Sequence, residues 1–172
     1  MGRLRFTLKI ISQLLLFITI VYADTPNLYI NEFLSSNASI NLDSDFYSFC
    51  DWIEIYNSED TVVNISGYYI TDDLSNPFKF QFTVSSIIHP NSFFIVWADD
   101  IDSVVTSTHA NFKLKKRGEE IGLFSPNGDS IDSIIFEEQV TDISYGRKPD
   151  GNSEWFYFSN PSSLASNMSI GY

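Results

Sequence analysis

Apolar and polar positions alternate through most of this chain with a period of two, the pattern of strands that turn one face to a core. The clearest case is Asp51-Trp52-Ile53-Glu54-Ile55-Tyr56-Asn57, where Ile53 and Ile55 fall on one side and Trp52, Glu54 and Tyr56 on the other. Its β-branched and aromatic content suits a pleated strand, and it is expected to be central in its sheet. Residues 28–34 alternate in the same way and predict the first strand, while residues 35–49, polar and acidic, predict a long loop between the two. A strand over 62–71 is interrupted by Gly67, which sits where a bulge or a close backbone approach is expected. Residues 78–82 set Phe78, Phe80 and Phe82 on one side with core spacing, and residues 93–98 are apolar on both sides, as in a sheet interior. Residues 103–110 read as a connection and 111–114 as a short strand or extended anchor. Residues 121–124 and 131–136 predict a hairpin around Ser125-Pro126-Asn127-Gly128-Asp129, in which Pro pre-sets one φ and Gly takes the left-handed position. Strands over 143–147 and 155–158 flank the turn Lys148-Pro149-Asp150-Gly151, and a Ser- and Asn-rich tail follows along the surface. No helix of credible length is predicted. Many short strands with frequent turns, all compatible with antiparallel pairing, define an all-β chain built as a two-sheet antiparallel β-sandwich.

The first residues do not fit that pattern. Arg3, Arg5 and Lys9 precede an apolar run over 10–21, and Val21-Tyr22-Ala23 offers small residues for a signal peptidase. Residues 1–23 are therefore expected to be a cleaved secretory signal, too short in its apolar part for a bilayer span of about 20 residues. The sandwich is assigned to residues 26–167 and a short tail to 168–172. The expected location is extracellular, at the cell surface or in the periplasm, with no membrane-spanning segment once the signal is removed.

Charge narrows the partners. The whole chain carries −12, and loss of the leader's three basic residues leaves seven basic against 22 acidic residues, a net −15. Such a field opposes nucleic acid and anionic membranes, and it favours solubility and cation attraction. Lys113, Lys115, Lys116 and Arg117 are the one basic cluster in the sequence and are expected to guard a sheet edge. Cys50 is the single cysteine, so no intrachain disulfide forms and the fold must rest on its core; beside the central strand it is expected to be a small buried residue.

Catalytic signals are thin. His89 and His109 are far apart, and the sequence holds no nucleophile elbow, zinc-protease pair, P-loop or Cys-x-x-Cys. The sharpest chemical candidate is calcium, with Asp43, Asp45 and Asp51 in or next to the long loop, and Asp72, Asp73, Asp99, Asp100 and Asp102 at strand ends, able to supply hard oxygen ligands, although without EF-hand spacing. The plainer alternative is that these aspartates serve turns and solvation. Trp52, Glu54 and Tyr56, with Tyr68 and Tyr69, are a candidate exposed binding face; the competing expectation is packing beneath a loop. Arg147 is expected to be a partly buried structural arginine paired with Glu32 or Glu54. Asn37, Asn64 and Asn167 head glycosylation sequons, which matter only in a eukaryotic secretory path.

Taken in order, Ile30-Asn31-Glu32-Phe33, the segment 51–57, Gly67-Tyr68-Tyr69-Ile70-Thr71-Asp72-Asp73, residues 90–98, Asn111-Phe112-Lys113-Leu114, 118–128, Asp132-Ser133-Ile134, Ser144-Tyr145-Gly146-Arg147-Lys148-Pro149-Asp150-Gly151 with Trp155, and 161–167 resemble the lamin tail domain in its bacterial form. The resemblance covers roughly residues 26–167. It implies an immunoglobulin-like sandwich serving as a binding or structural module, without the heptad rod or prenylation box of nuclear lamins, so lamin assembly is not carried over. The expected function is a secreted non-enzymatic module that contacts a protein or a cell-surface polysaccharide. The alternatives are a calcium-dependent adhesion or structural module, and an accessory to a separately encoded secreted hydrolase. Nothing in the sequence specifies an oligomeric state.

Overall fold

The structure, a computed structural model, describes residues 25–83, 85–101 and 108–168; the expected leader and most of the expected terminal tail lie outside the described residues. Its strands are β1 (Leu28–Leu34), β2 (Asp51–Asn57), β3 (Val63–Asn64), β4 (Tyr69–Thr71), β5 (Phe80–Gln81), β6 (Ile87–Ile88), β7 (Ser92–Ala98), β8 (His109–Ala110), β9 (Glu119–Phe124), β10 (Ser130–Phe136), β11 (Ser144–Arg147) and β12 (Trp155–Phe158). They form a six-stranded sheet in the order β12-β11-β1-β2-β7-β8, a four-stranded sheet β10-β9-β4-β5 and a small β3-β6 pair. The class is all-β, an immunoglobulin-like β-sandwich. β2 does sit inside the large sheet, between β1 and β7.

Between the layers lie Ile30, Phe33, Ile53, Ile55, Ile70, Phe82, Val96, Ile121, Leu123 and Phe136, all buried in one cluster. The set alternates along β2 as its sequence predicts. It does not along β1, because the β1–β2 register slips between Ile30 and Glu32. That bulge shifts the parity of one strand: Leu28 and Ile30 point inward before it and Phe33 after it, leaving Glu32 and Leu34 opposite Glu54 and Trp52 on the outer face.

The β9–β10 hairpin forms as expected, closed by Ser125 N–H donating to Asp129 O at 2.8 Å, with Gly128 at φ +85° in the left-handed position that turn requires. Three expectations are corrected. Residues 103–110 are not wholly a connection, since His109 and Ala110 pair with Trp97 and Ala98 as β8, and this pair is parallel, an exception to the antiparallel pattern. The 62–71 strand is interrupted at Gly67 as expected, with Gly67 at φ +85° donating its N–H to Phe82 O at 2.8 Å, but its two pieces do not share a sheet: β3 pairs with β6 and β4 with β9. Phe78 leaves the core face and is half exposed, its ring edge-on to Tyr69.

Candidate functional site

The outer face of the six-stranded sheet carries the candidate binding residues Trp52, Glu54 and Tyr56, and of the two expectations for them the structure shows packing beneath a covering segment. Trp52 and Glu54 are fully buried, and Tyr56 is half-buried and stacked on Phe93 with ring centroids 5.0 Å apart. Tyr69 belongs to β4 in the opposite sheet, so it does not extend that face. The cover is the C-terminal segment. Leu164 N–H donates to Glu54 Oε2 at 2.5 Å, the Ser162 hydroxyl to Glu32 Oε2 at 2.8 Å, and Asn167 N–H to Asp150 Oδ1 at 2.9 Å. Asn31, the residue at the bulge, ties the layer together: its amide donates to Glu54 Oε1 and to Asp150 Oδ1, both at 3.1 Å, while its Oδ1 accepts from Gly151 N–H at 3.0 Å. Gly146 allows this closeness, since a Cβ there would lie 2.7 Å from the Asn167 amide nitrogen and 3.0 Å from Asn31 O.

Glu32 and Glu54 are direct cross-strand partners, both fully buried. Burial drives the Glu54 carboxyl well above the ordinary range, the Asn31 hydrogen bond opposes this and the Glu32 charge adds to it. Glu32 is also raised by burial, against hydrogen bonds from Ser144 and Ser162. Arg147 supports the same region, but its partner is neither glutamate. It grips Asp132 with both carboxylate oxygens at 3.0 Å, donates through Nε to Ile30 O at 2.8 Å, and lies 4.7 Å from the Trp155 ring centroid. A lone aspartate among the isoleucines of β10 was the sequence signal for that pair. The sequon Asn167 is fully buried, which leaves no room for a glycan on it.

The second concentration of acids lies at one end of the sheet. The long loop folds back on itself where Asp43 bridges Ser48, with Asp43 N–H donating to Ser48 O at 2.9 Å. This turn brings Asp43 and Asp45 against β8 and the end of β7. His109, fully buried, has Nδ1 2.6 Å from Asp99 Oδ2 and Nε2 3.3 Å from Asp45 Oδ2. Phe46 stands edge-on to the imidazole with centroids 4.8 Å apart. Burial alone would lower the His109 pKa, but the hydrogen bonds to Asp99 and Asp45 outweigh it and the net shift is upward. Asp43, 1 % exposed, uses Oδ1 to accept Asp45 N–H at 2.9 Å, while its Oδ2 is buried without a hydrogen-bond partner.

Asp51 does not join Asp43 and Asp45. It accepts Asn37 N–H at 3.1 Å, and burial pushes its pKa up to about 6. Two overlapping groups of candidate ligands arise among the described residues: Asp43, Asp45 and His109, and Asp43, Cys50 and Asp99, the atoms of each within 4.8 Å of one another. Cys50 is half-buried rather than buried, 3.0 Å from the Ser48 hydroxyl, and burial raises its thiol pKa. Asp99 was among the strand-end aspartates that the sequence offered as oxygen ligands, whereas His109 was missed because it reaches the loop through the parallel β7–β8 pair.

The family model described as Lamin Tail Domain matches residues 22–138, more than half of the sequence. The chain belongs to the lamin tail domain family. Both acidic clusters take residues from the matched part of this lamin tail domain, whereas β11, β12 and the covering segment 160–167 follow it in the chain. Because β11 pairs with β1, the sheet of this lamin tail domain nonetheless runs beyond residue 138. A search of the curated proteins finds no match to the chain.

Proposed function

We propose that this lamin tail domain is a secreted, non-enzymatic recognition module that holds a protein or a cell-surface polysaccharide on the aromatic loop 42–49. The carrying observation is the exposure of Leu42, Phe46, Tyr47 and Phe49, at 47, 45, 81 and 44 %, on one loop. Large apolar side chains gathered at the surface mark contact sites. Tyr47 is held at φ +54°, a conformation that costs energy in a bulky residue and persists where surrounding structure fixes it. The basic start, apolar run and Val21-Tyr22-Ala23 support export, and the acid-rich composition speaks against nucleic acid. The buried Glu32–Glu54 pair, sealed beneath residues 160–167, is placed to hold the fold rather than to meet a substrate.

The test is retention of components from an extract of the producing cell's surface, and of its purified wall polysaccharide, on immobilised protein. Wild type is expected to retain one component that the triple variant F46S/Y47S/F49S loses at an unchanged melting temperature. Equal retention by the variant, or turnover of a retained polymer by the purified protein, overturns the reading.

A further inference from the structure

We propose that Asp43, Asp45 and His109 form a binding site for a divalent transition-metal ion of the zinc class, with Asp99 positioning the imidazole. Four observations converge. The His109 Nδ1···Asp99 contact of 2.6 Å is the carboxylate–histidine pairing that orients metal-bound imidazoles and fixes which nitrogen faces the ion. The other nitrogen, Nε2, meets the Asp45 carboxylate at 3.3 Å, longer than the 2.7–2.9 Å typical of a charge-assisted hydrogen bond. Two ligands each about 2.0–2.1 Å from one tetrahedral metal lie about 3.3 Å apart, so the observed separation suits a shared ion. Asp43 Oδ2 is a buried carboxylate oxygen that no protein donor satisfies, in a residue 1 % exposed whose carboxylate is within 4.8 Å of both partners.

The donor chemistry selects the metal. Calcium takes six to eight oxygens, whereas an imidazole between carboxylates suits zinc, cobalt or nickel. The third aspartate of the sequence-based calcium set, Asp51, binds Asn37 instead. Asp45 is about half exposed, which leaves an entry path. An ion here would pin the turn of the long loop to β8, directly beneath Phe46. The site does not depend on what the aromatic loop recognises.

The experiment titrates the untagged, chelator-treated protein with zinc, cobalt and calcium chlorides, following heat, the visible ligand-field bands of cobalt and the melting temperature. One equivalent of zinc or cobalt is expected to bind saturably, cobalt with tetrahedral-type bands, and to raise the melting temperature. D45N, at a partly exposed position that folding tolerates, is expected to weaken binding at least ~10-fold, H109Q likewise, and D99N by ~10-fold through loss of imidazole orientation. D51N and C50S are expected to bind as wild type. Absence of stoichiometric binding at millimolar zinc, preference for calcium, wild-type affinity in D45N, or loss of binding in C50S each overturns the assignment.

Discussion

The carboxylates on the tail-covered face of the six-stranded sheet and those of the loops packed against its β7–β8 end meet opposite fates. Glu32 and Glu54 are walled in, yet each is met by protein donors: Ser144 and Ser162 for one, Asn31 and Leu164 for the other. Asp43 is as deeply buried, but keeps an oxygen that no donor reaches, beside a histidine whose nitrogens both face carboxylates. Buried acids with their lone pairs used hold a structure together; a buried acid with a spare lone pair is poised for something from outside. The same carboxylate group thus does structural work on the sheet face and keeps binding capacity in the loop beside it.

The covered face should break first and hardest. In R147M the half-buried Asp132 carboxylate loses both of its 3.0 Å bonds to the guanidinium, and Ile30 O loses the Arg147 Nε donor. Removing one member of a buried pair costs about 3–5 kcal/mol. Arg147 and Asp132 keep side-chain exposures of 9 and 15 %, so the lower end applies. Urea denaturation is the check, and a loss below about 1 kcal/mol would mean that the pair is screened as surface pairs are. Zinc should act on the other cluster alone. At a hundredfold excess over its dissociation constant it should add about 2.7 kcal/mol to unfolding. Because Glu32 is not a proposed ligand, E32Q should shift the baseline stability and leave that increment intact. An increment that vanished in E32Q would merge the two clusters into one system.

Acidity sharpens the contrast next. The Glu32 and Glu54 carboxyls are both raised in the folded state, chiefly by burial. A raised acid favours the protonated fold, so its stabilisation is complete below the unfolded value of about 4.3 and is lost as pH climbs through the folded value. The melting temperature should therefore fall between pH 5 and pH 8, helped by self-repulsion in a chain of net charge −12. E54Q should flatten the slope, and a wild-type profile that rises across this interval would show that the covered pair does not govern it.

The period-two pattern carried the sheet faces well wherever a strand held one register. It located β2 and its inward Ile53 and Ile55, the β9–β10 hairpin and the closing strands. It failed at the β1 bulge, because Leu28-Tyr29-Ile30-Asn31-Glu32-Phe33-Leu34 has apolar residues in both parities and one extra residue leaves no trace. For Trp52 and Glu54 the sequence left exposure and packing beneath a loop both open, and the structure shows the packing. A polar position alternating with isoleucines reads as solvent-facing, and only the return of residues 160–167 makes it interior. The loop-end site was half legible. Asp43 and Asp45 stood out as acids in a loop, whereas His109, 64 residues beyond Asp45, comes to them through a parallel pairing only two residues long.

The smallest expected effect on the fold separates the two regions in the other direction. Tyr47 is 81 % exposed, so Y47S should change stability by less than about 0.5 kcal/mol, as surface substitutions do. Its left-handed backbone gives a reason for a small gain in Y47G instead, since glycine adopts φ +54° without steric cost. Both variants should lose retention of the surface component while R147M, assayed at a temperature where it remains folded, keeps it. Denaturation midpoints and retention measured on the same preparations decide this. If Y47S retains as wild type does while R147M fails, recognition belongs to the tail-covered side of the sheet and not to the aromatic loop.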